Sequence, residues 1–237
     1  AQLEPQASLG AAANGADLII EAVPESMELK LAVFKEAMAT AKADCLLASN
    51  TSSLSLTELG TRLGAAERTV GMHFFNPPPV MKLLEIVRGL TTSDVAVERA
   101  LGYAMPLGKT PIVVNDSRGF YTSRVFGTYV REGMALLEEG VSPVLIDKAG
   151  LISGMPVGPL ALADEVSIEL VYKIASETRT ELGGAYVEGA DYRVGSKMVA
   201  ELGRLGKKIG KGFYDYPEGG QKHIWPELAR HFPQKPE

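Results

Sequence analysis

The chain has 237 residues, a formal net charge of −5 and 46% hydrophobic residues, so it can bury a substantial core in one or two domains. No basic run is present and no apolar run reaches the roughly 20 residues of a membrane-spanning helix, which argues against nucleic-acid binding and against a transmembrane segment. No secretory leader opens the sequence, so we expect a cytoplasmic protein.

The first half of the sequence alternates short apolar runs, typical of buried strands, with longer amphipathic segments. Strands are predicted at residues 16–22, 45–49, 69–75, 82–87 and 110–114, and helices at residues 27–42, 54–63 and 95–107. The single cysteine, Cys45, lies in one of the apolar runs and is interpreted as a small buried hydrophobe. This alternation indicates the closing half of a doubly wound, Rossmann-like α/β sheet.

Strand signals stop near Asn115, and the rest of the sequence favours helices. These are predicted at residues 120–139, 143–149, 159–182 and 196–202. The tail is rich in proline and polar residues, and it predicts a loop that carries His223 and His231. We therefore expect an α/β domain followed by an all-α domain: a partial nucleotide-binding domain over residues 1–115, a helical domain over 116–216, and a linker over 217–237.

A histidine and a glutamate interrupt two apolar runs that read as strands. His73 precedes two phenylalanines near the end of one run, and Glu85 lies inside the apolar run of residues 83–87. A carboxylate in a buried strand is costly unless it is paired, and His73 is the candidate partner. The prolines at 77–79 force a new element between them, so the two residues are expected to meet across neighbouring strands. An imidazole held by a carboxylate is a general base that can remove a proton from a hydroxyl, as alcohol-to-ketone chemistry requires.

A polar turn, residues 50–53, follows the second predicted strand. Its serines and threonine are typical of a helix N-cap, which explains Ser52 on structural grounds alone. A hydroxyl on a strand-to-helix turn at the carboxyl edge of a parallel sheet also lies where ligands bind, so both explanations stay open. Asn76 has a similar pair of explanations, because Asn-Pro initiates turns. The spacing of the three histidines predicts no metal site.

Four ordered motifs carry a resemblance to a known family. They are SNTSSL (49–54), HFFNPPPVMKLLEIV (73–87), NDSRGF (115–120) and GKKIGKGFYDY (206–216). Together they resemble the L-3-hydroxyacyl-CoA dehydrogenase family, and in particular the dehydrogenase region of multifunctional fatty-acid oxidation enzymes of the alpha-subunit type. The similarity runs from about residue 16 to residue 216. It implies a helical C-terminal domain like that of 6-phosphogluconate dehydrogenase, NAD as cofactor, an acyl-CoA substrate, and assembly as a homodimer or in a multienzyme complex.

The resemblance also implies roles for single residues in the oxidation of L-3-hydroxyacyl-CoA to 3-ketoacyl-CoA. His73 is the implied general base, assisted by Glu85, and Ser52 is implied to touch both substrate and nicotinamide. Asn76 is implied to bond the cofactor.

Further implied contacts involve charged residues. Glu25 and Lys30 match residues near the ribose and nicotinamide, and Lys208 matches a lysine that reaches the cofactor from the second domain. Each also has a simpler explanation as an exposed charge or a basic loop. Ser123 is a departure, because family members commonly carry asparagine there in a segment like GFxxNR to orient substrate and histidine. Serine keeps a donor and an acceptor but is shorter, so we expect a changed geometry rather than lost activity.

The Gly-rich loop GxGxxG, which binds the cofactor pyrophosphate in this family, is not found in the sequence. We therefore expect the chain to be a fragment that lacks the first half of the nucleotide-binding domain. Were the chain complete as given, a non-catalytic acyl-CoA binding or assembly module would be the alternative. A third hypothesis is another protein of the 6-phosphogluconate-dehydrogenase-like superfamily, which the spacing of His73 and Glu85 disfavours.

Overall fold

The computed structural model describes residues 4–235 and divides into two compact units, Ala1–Arg124 and Val125–Glu237. Each unit has its own hydrophobic core. Among residues 4–235, no helix is both long enough and apolar enough to cross a bilayer.

A five-stranded sheet forms the centre of the first unit. Its strands, in both chain and spatial order, are β1 (Leu18–Glu21), β2 (Leu46–Ser49), β3 (Thr69–Phe74), β4 (Leu83–Arg88) and β5 (Thr110–Asn115). Strands β1, β2 and β3 are parallel, β4 runs antiparallel to β3, and β5 is parallel to β4. The predicted Rossmann-like α/β region is confirmed, and the reversal at β4 brings the two apolar runs that contain His73 and Glu85 side by side.

Helices cover both faces of this sheet. They are α1 (Leu9–Ala13), α2 (Met27–Met38), α3 (Leu56–Leu63) and α4 (Asp94–Ala104), with a 3₁₀ turn at Ala66–Arg68. Neighbouring residues of β2 point to opposite faces, so Leu47 packs with α2 and α3 whereas Leu46 packs with α4. Cys45 is fully buried as predicted, and burial raises the pKa of its thiol.

The second unit is mainly helical. Its elements are α5 (Thr122–Glu138, which begins in the first unit), α6 (Pro143–Ile152), α7 (Pro159–Val166), α8 (Ile168–Leu182), α9 (Ala190–Ser196), a π-helical turn (Lys197–Glu201), a 3₁₀ turn (Lys207–Ile209), β6 (Tyr214–Asp215), β7 (His223–Ile224) and α10 (Leu228–His231). The expected all-α character of this region is confirmed, with one small antiparallel β6–β7 ladder added to it.

Two expectations for this unit were wrong. The predicted helix over residues 159–182 is two helices, because Ser167 has a φ of 89° and breaks the chain between α7 and α8. The tail is not loop throughout, since it contributes β7 and α10. Leu228 is buried in the core, and the Trp225 ring lies 4.1 Å from the Arg204 guanidinium. Packing of its apolar side chains gives this segment regular structure despite its proline-rich composition.

Candidate active site

His73 and Glu85 meet across β3 and β4, as the sequence predicts. They occupy directly paired positions of the antiparallel ladder, and His73 Nδ1 lies 2.7 Å from Glu85 Oε2. His73 is 6% exposed and Glu85 is fully buried. The imidazole is flanked by the rings of Phe75 and Phe120 at centroid distances of 4.6 and 5.7 Å. Two aromatic rings therefore flank the imidazole of a buried imidazole–carboxylate pair.

The second oxygen of the Glu85 carboxylate is held by the backbone at the start of α5. Oε1 accepts hydrogen bonds from the N–H groups of Tyr121 at 3.1 Å and Thr122 at 2.7 Å. Burial acts most strongly on the pKa of Glu85 and raises it, but the hydrogen bonds with His73 and Thr122 outweigh burial and hold the pKa below its ordinary value. Glu85 is therefore ionised at neutral pH. No pattern in the sequence indicates these backbone donors.

Ser52 completes a line of three polar groups. Its Oγ lies 3.1 Å from His73 Nε2. Because an ionised Glu85 can only accept hydrogen bonds, Nδ1 of His73 carries a proton. In the neutral imidazole Nε2 is then the acceptor, and the Ser52 hydroxyl donates to it. This arrangement leaves a basic nitrogen next to an exposed hydroxyl at the carboxyl end of β2.

Glu25 anchors the turn that carries Ser52. Its Oε1 accepts from Thr51 Oγ1 at 2.5 Å, from the N–H groups of Ser52 and Ser53 at 3.0 and 3.1 Å, and from Ser53 Oγ at 3.0 Å. Burial again raises the pKa most strongly, yet the hydrogen bonds of Thr51 and Ser53 and the charge of Lys30 together lower the pKa of Glu25. The Glu25 side chain is still 39% exposed.

Lys30 is buried rather than exposed. Its Nζ lies 2.9 Å from Glu21 Oε1, 3.1 Å from the carbonyl oxygen of Val23 and 3.3 Å from Glu25 Oε2. Glu21 also accepts a hydrogen bond from Ser49 Oγ at 2.7 Å. Sequence reasoning missed Glu21, although a carboxylate at the end of an apolar run is the same signal that identified Glu85.

The remaining predicted site residues fall in three places. Asn76 is exposed in the loop after β3. Asn50, directly after β2, is half-buried, and its Oδ1 accepts a hydrogen bond from Phe74 N at 2.9 Å. Ser123 is half-buried in the first turn of α5. Lys208 is exposed in the 3₁₀ turn of the second unit. The first unit thus brings together Ser52, Glu25, Lys30 and the His73–Glu85 pair.

Comparison with known families identifies the chain. Residues 1–117 match the family model described as 3-hydroxyacyl-CoA dehydrogenase, NAD binding domain, and residues 119–216 match 3-hydroxyacyl-CoA dehydrogenase, C-terminal domain. The chain belongs to the 3-hydroxyacyl-CoA dehydrogenase family. The predicted family, its oxidoreductase class and NAD as its cofactor are confirmed.

Curated relatives of two lengths are similar to the chain. It is 39% identical over 209 residues to a probable 3-hydroxybutyryl-CoA dehydrogenase of Bacillus subtilis, covering 87% of this chain and 71% of the relative. It is 40% identical over 216 residues to the fatty acid oxidation complex subunit alpha of Pseudomonas putida, covering 90% of this chain and 30% of the relative. The chain therefore spans less than a third of that alpha subunit.

Solved structures agree with this assignment. The (S)-3-hydroxybutyryl-CoA dehydrogenase of Ralstonia eutropha is 37% identical with a TM-score of 0.78, covering 90% of this chain and 74% of that chain. The 3-hydroxybutyryl-CoA dehydrogenase of Escherichia coli is 34% identical with a TM-score of 0.79, covering 93% of this chain and 46% of that chain.

Proposed function

We propose that the protein oxidises L-3-hydroxyacyl-CoA to 3-ketoacyl-CoA with NAD as hydride acceptor, and that His73 is the general base. The observation that carries this proposal is the line Ser52 Oγ, His73 and Glu85, with contacts of 3.1 and 2.7 Å. A neutral imidazole with its basic Nε2 next to an exposed hydroxyl is suited to removing a proton from an alcohol. Family membership supplies the substrate class.

In the proposed mechanism His73 Nε2 takes the proton of the substrate 3-hydroxyl. The imidazolium that forms keeps its Nδ1–H on Glu85 Oε2, and the buried carboxylate stabilises the positive charge. Ser52 is released from Nε2 when the substrate binds, and its hydroxyl then holds the substrate oxygen. The backbone N–H groups of Tyr121 and Thr122 keep Glu85 in place through the cycle.

The residues at this edge of the sheet fit the nicotinamide end of the cofactor. Glu25 and Ser52 are exposed at the carboxyl ends of β1 and β2, the edge at which parallel sheets bind ligands. When bound there, the nicotinamide ring would accept the hydride from C3 of the substrate. The roles of Asn76, Lys30 and Lys208 toward the cofactor, and of Ser123 toward the substrate, are proposed on the family resemblance.

Assembly and location follow from the relatives. One relative is named as a subunit of a fatty acid oxidation complex, which supports assembly in a multienzyme complex, with a homodimer as the simpler arrangement. These relatives are bacterial enzymes or enzyme subunits, and we propose a cytoplasmic location on that ground.

The direct test is an assay of the natural full-length protein. We expect NADH to form when NAD is supplied with L-3-hydroxybutyryl-CoA or a longer L-3-hydroxyacyl-CoA, and not with the D-enantiomers. Comparing the turnover of substrates with short and long acyl chains would show whether the protein is functionally closer to the 3-hydroxybutyryl-CoA dehydrogenases or to the fatty acid oxidation alpha subunits. A full-length protein that binds acyl-CoA but forms no NADH from any L-3-hydroxyacyl-CoA would overturn the proposal and support a non-catalytic binding module.

A further inference from the structure

A second buried group of charges lies next to the site, at the carboxyl end of β1. Glu21 is 3% exposed and Lys30 is 1% exposed. An ammonium has three protons, and Lys30 Nζ has three oxygens around it, from Glu21, Val23 and Glu25, at distances of 2.9 to 3.3 Å. All of its donor capacity is therefore used inside the protein. Because a buried charge pair is costly to form, its presence is weak evidence for a purely stabilising role.

Glu21 fixes this group to two neighbouring strands. Its Oε1 accepts from Val23 N at 2.6 Å as well as from Lys30, and its Oε2 accepts from Ser49 Oγ at 2.7 Å. Ser49 Oγ in turn accepts from Thr51 N at 3.3 Å. The carboxylate therefore joins the end of β1, the end of β2 and the first residues of the turn after β2.

Glu25 connects the buried pair to the active-site turn. One of its oxygens faces Lys30, and the other accepts from the backbone N–H groups of Ser52 and Ser53. The Ser52 hydroxyl then lies 3.1 Å from His73 Nε2. A continuous polar path runs from Glu21 through Lys30, Glu25 and Ser52 to His73.

We propose that Glu21 and Lys30 are positioning residues. They fix the Glu25 carboxylate, and thereby the position of the Ser52 hydroxyl relative to His73 Nε2. This inference rests on the proposed function, because Ser52 and His73 have their roles there. Lys30 thus acts on Ser52 through the Glu25 carboxylate. A displacement of about 1 Å in such a group can lower turnover by about a hundredfold, which is the physical reason to hold the turn by charges.

Amide hydrogen exchange tests the proposal without any need for activity. In Lys30→Met we expect the Ser52 and Ser53 amides to exchange about tenfold faster or more, because Glu25 loses its charged anchor. Lys35→Met is the matched control, since Lys35 lies exposed on the same helix, and it should leave both rates unchanged. Unchanged exchange at Ser52 and Ser53 in Lys30→Met would overturn the proposal, even if the natural protein had no dehydrogenase activity.

A double-mutant cycle in the natural full-length enzyme supplies the kinetic test. Glu21→Gln, a neutral variant of the same shape, should lower kcat about tenfold while the Kd for NAD stays within about twofold, and in a Ser52→Ala background it should cost less than about twofold further. Independent, multiplicative losses, or a loss confined to NAD binding, would show that Glu21 does not act through Ser52. Should Lys30→Met not fold, Glu21→Gln is also expected to give the faster exchange at Ser52 and Ser53.

Discussion

Glu85 and His73 occupy directly paired positions of β4 and β3, and one carboxylate bridges the imidazole to the first N–H groups of α5. One oxygen lies 2.7 Å from His73 Nδ1, and the other accepts from Thr122 N at 2.7 Å. Each oxygen therefore has a different donor. Because Glu85 Oε2 accepts from His73 Nδ1, the imidazole keeps a proton on Nδ1.

Glu85→Gln should lower kcat by about 10²- to 10⁴-fold in the full-length enzyme. The N–H groups of Tyr121 and Thr122 require an oxygen, so the new amide nitrogen must face His73 Nδ1. That nitrogen donates, which moves the imidazole proton to Nε2 and removes the base. The steady-state rate and its pH profile check this, with the exposed Glu58→Gln as control. A variant with wild-type turnover and an unchanged acidic limb would mean that Glu85 is structural.

Ser52→Ala should lower kcat by about tenfold to a hundredfold, because the substrate oxygen loses one hydrogen-bond donor. Ser53→Ala is the matched control: it removes a hydroxyl bonded to the same Glu25 oxygen but keeps the backbone N–H, and we expect a loss within about threefold. Equal losses in the two variants would indicate that the turn as a whole, rather than the Ser52 hydroxyl, matters for turnover.

The GKGFYDY motif has a structural explanation in the second unit. Asp164 accepts from the N–H groups of Phe213 and Tyr214 at 2.8 and 2.9 Å, and a Cβ added at Gly212 would lie 2.0 Å from its Oδ1. Gly212→Ala should therefore displace the carboxylate and lower the free energy of unfolding by about 2–5 kcal/mol. Gly184→Ala, where a Cβ meets open space, is the control for denaturant unfolding. Equal stability of the two variants would refute this explanation.

Stability of the second unit should depend on pH through Asp164. Burial raises the pKa of this fully buried carboxyl to about 6, against the opposing hydrogen bonds of Tyr214 and Phe213. Because the folded state holds the proton more tightly than the unfolded state, this contribution is full below about pH 4 and is lost as the pH rises through about 6. Its size is about 3 kcal/mol.

The measurement for Asp164 is the unfolding free energy from about pH 4 to about pH 7 in the wild type and in Asp164→Asn. The variant lacks the titrating group, so the pH slope should change by the amount that Asp164 contributes, whatever the constant offset of the substitution. The same slope in both proteins would contradict the assignment.

The sequence predicts the pairing of His73 with Glu85, because a buried strand tolerates a carboxylate only with a partner. The same rule applies to Glu21 at the end of β1, but its partner Lys30 lies in a helix, where a lysine is usually exposed. The pairing of Glu85 with His73 could be predicted because both residues interrupt apolar runs that are typical of strands. The pairing of Glu21 with Lys30 joins a strand and a helix, and no such pattern in the sequence indicates it.

Other features had no local signal. The break at Ser167 involves a serine at φ 89°, a conformation that sequence patterns assign to glycine or asparagine. The proline content of the tail predicts a loop around Trp225, yet Trp225 stacks on Arg204 and Leu228 is buried in the core. Such contacts join residues that are far apart in the chain, so no local pattern reveals them.

The central claim is that His73 removes the substrate proton, and His73→Ala in the full-length enzyme tests it most directly. Turnover of L-3-hydroxyacyl-CoA and the Kd for NAD should be measured on the same preparation. We expect kcat to fall by about 10²- to 10⁴-fold while the Kd for NAD changes less than about threefold. A His73→Ala enzyme with a kcat within about tenfold of wild type would contradict the account, because the base would then lie elsewhere.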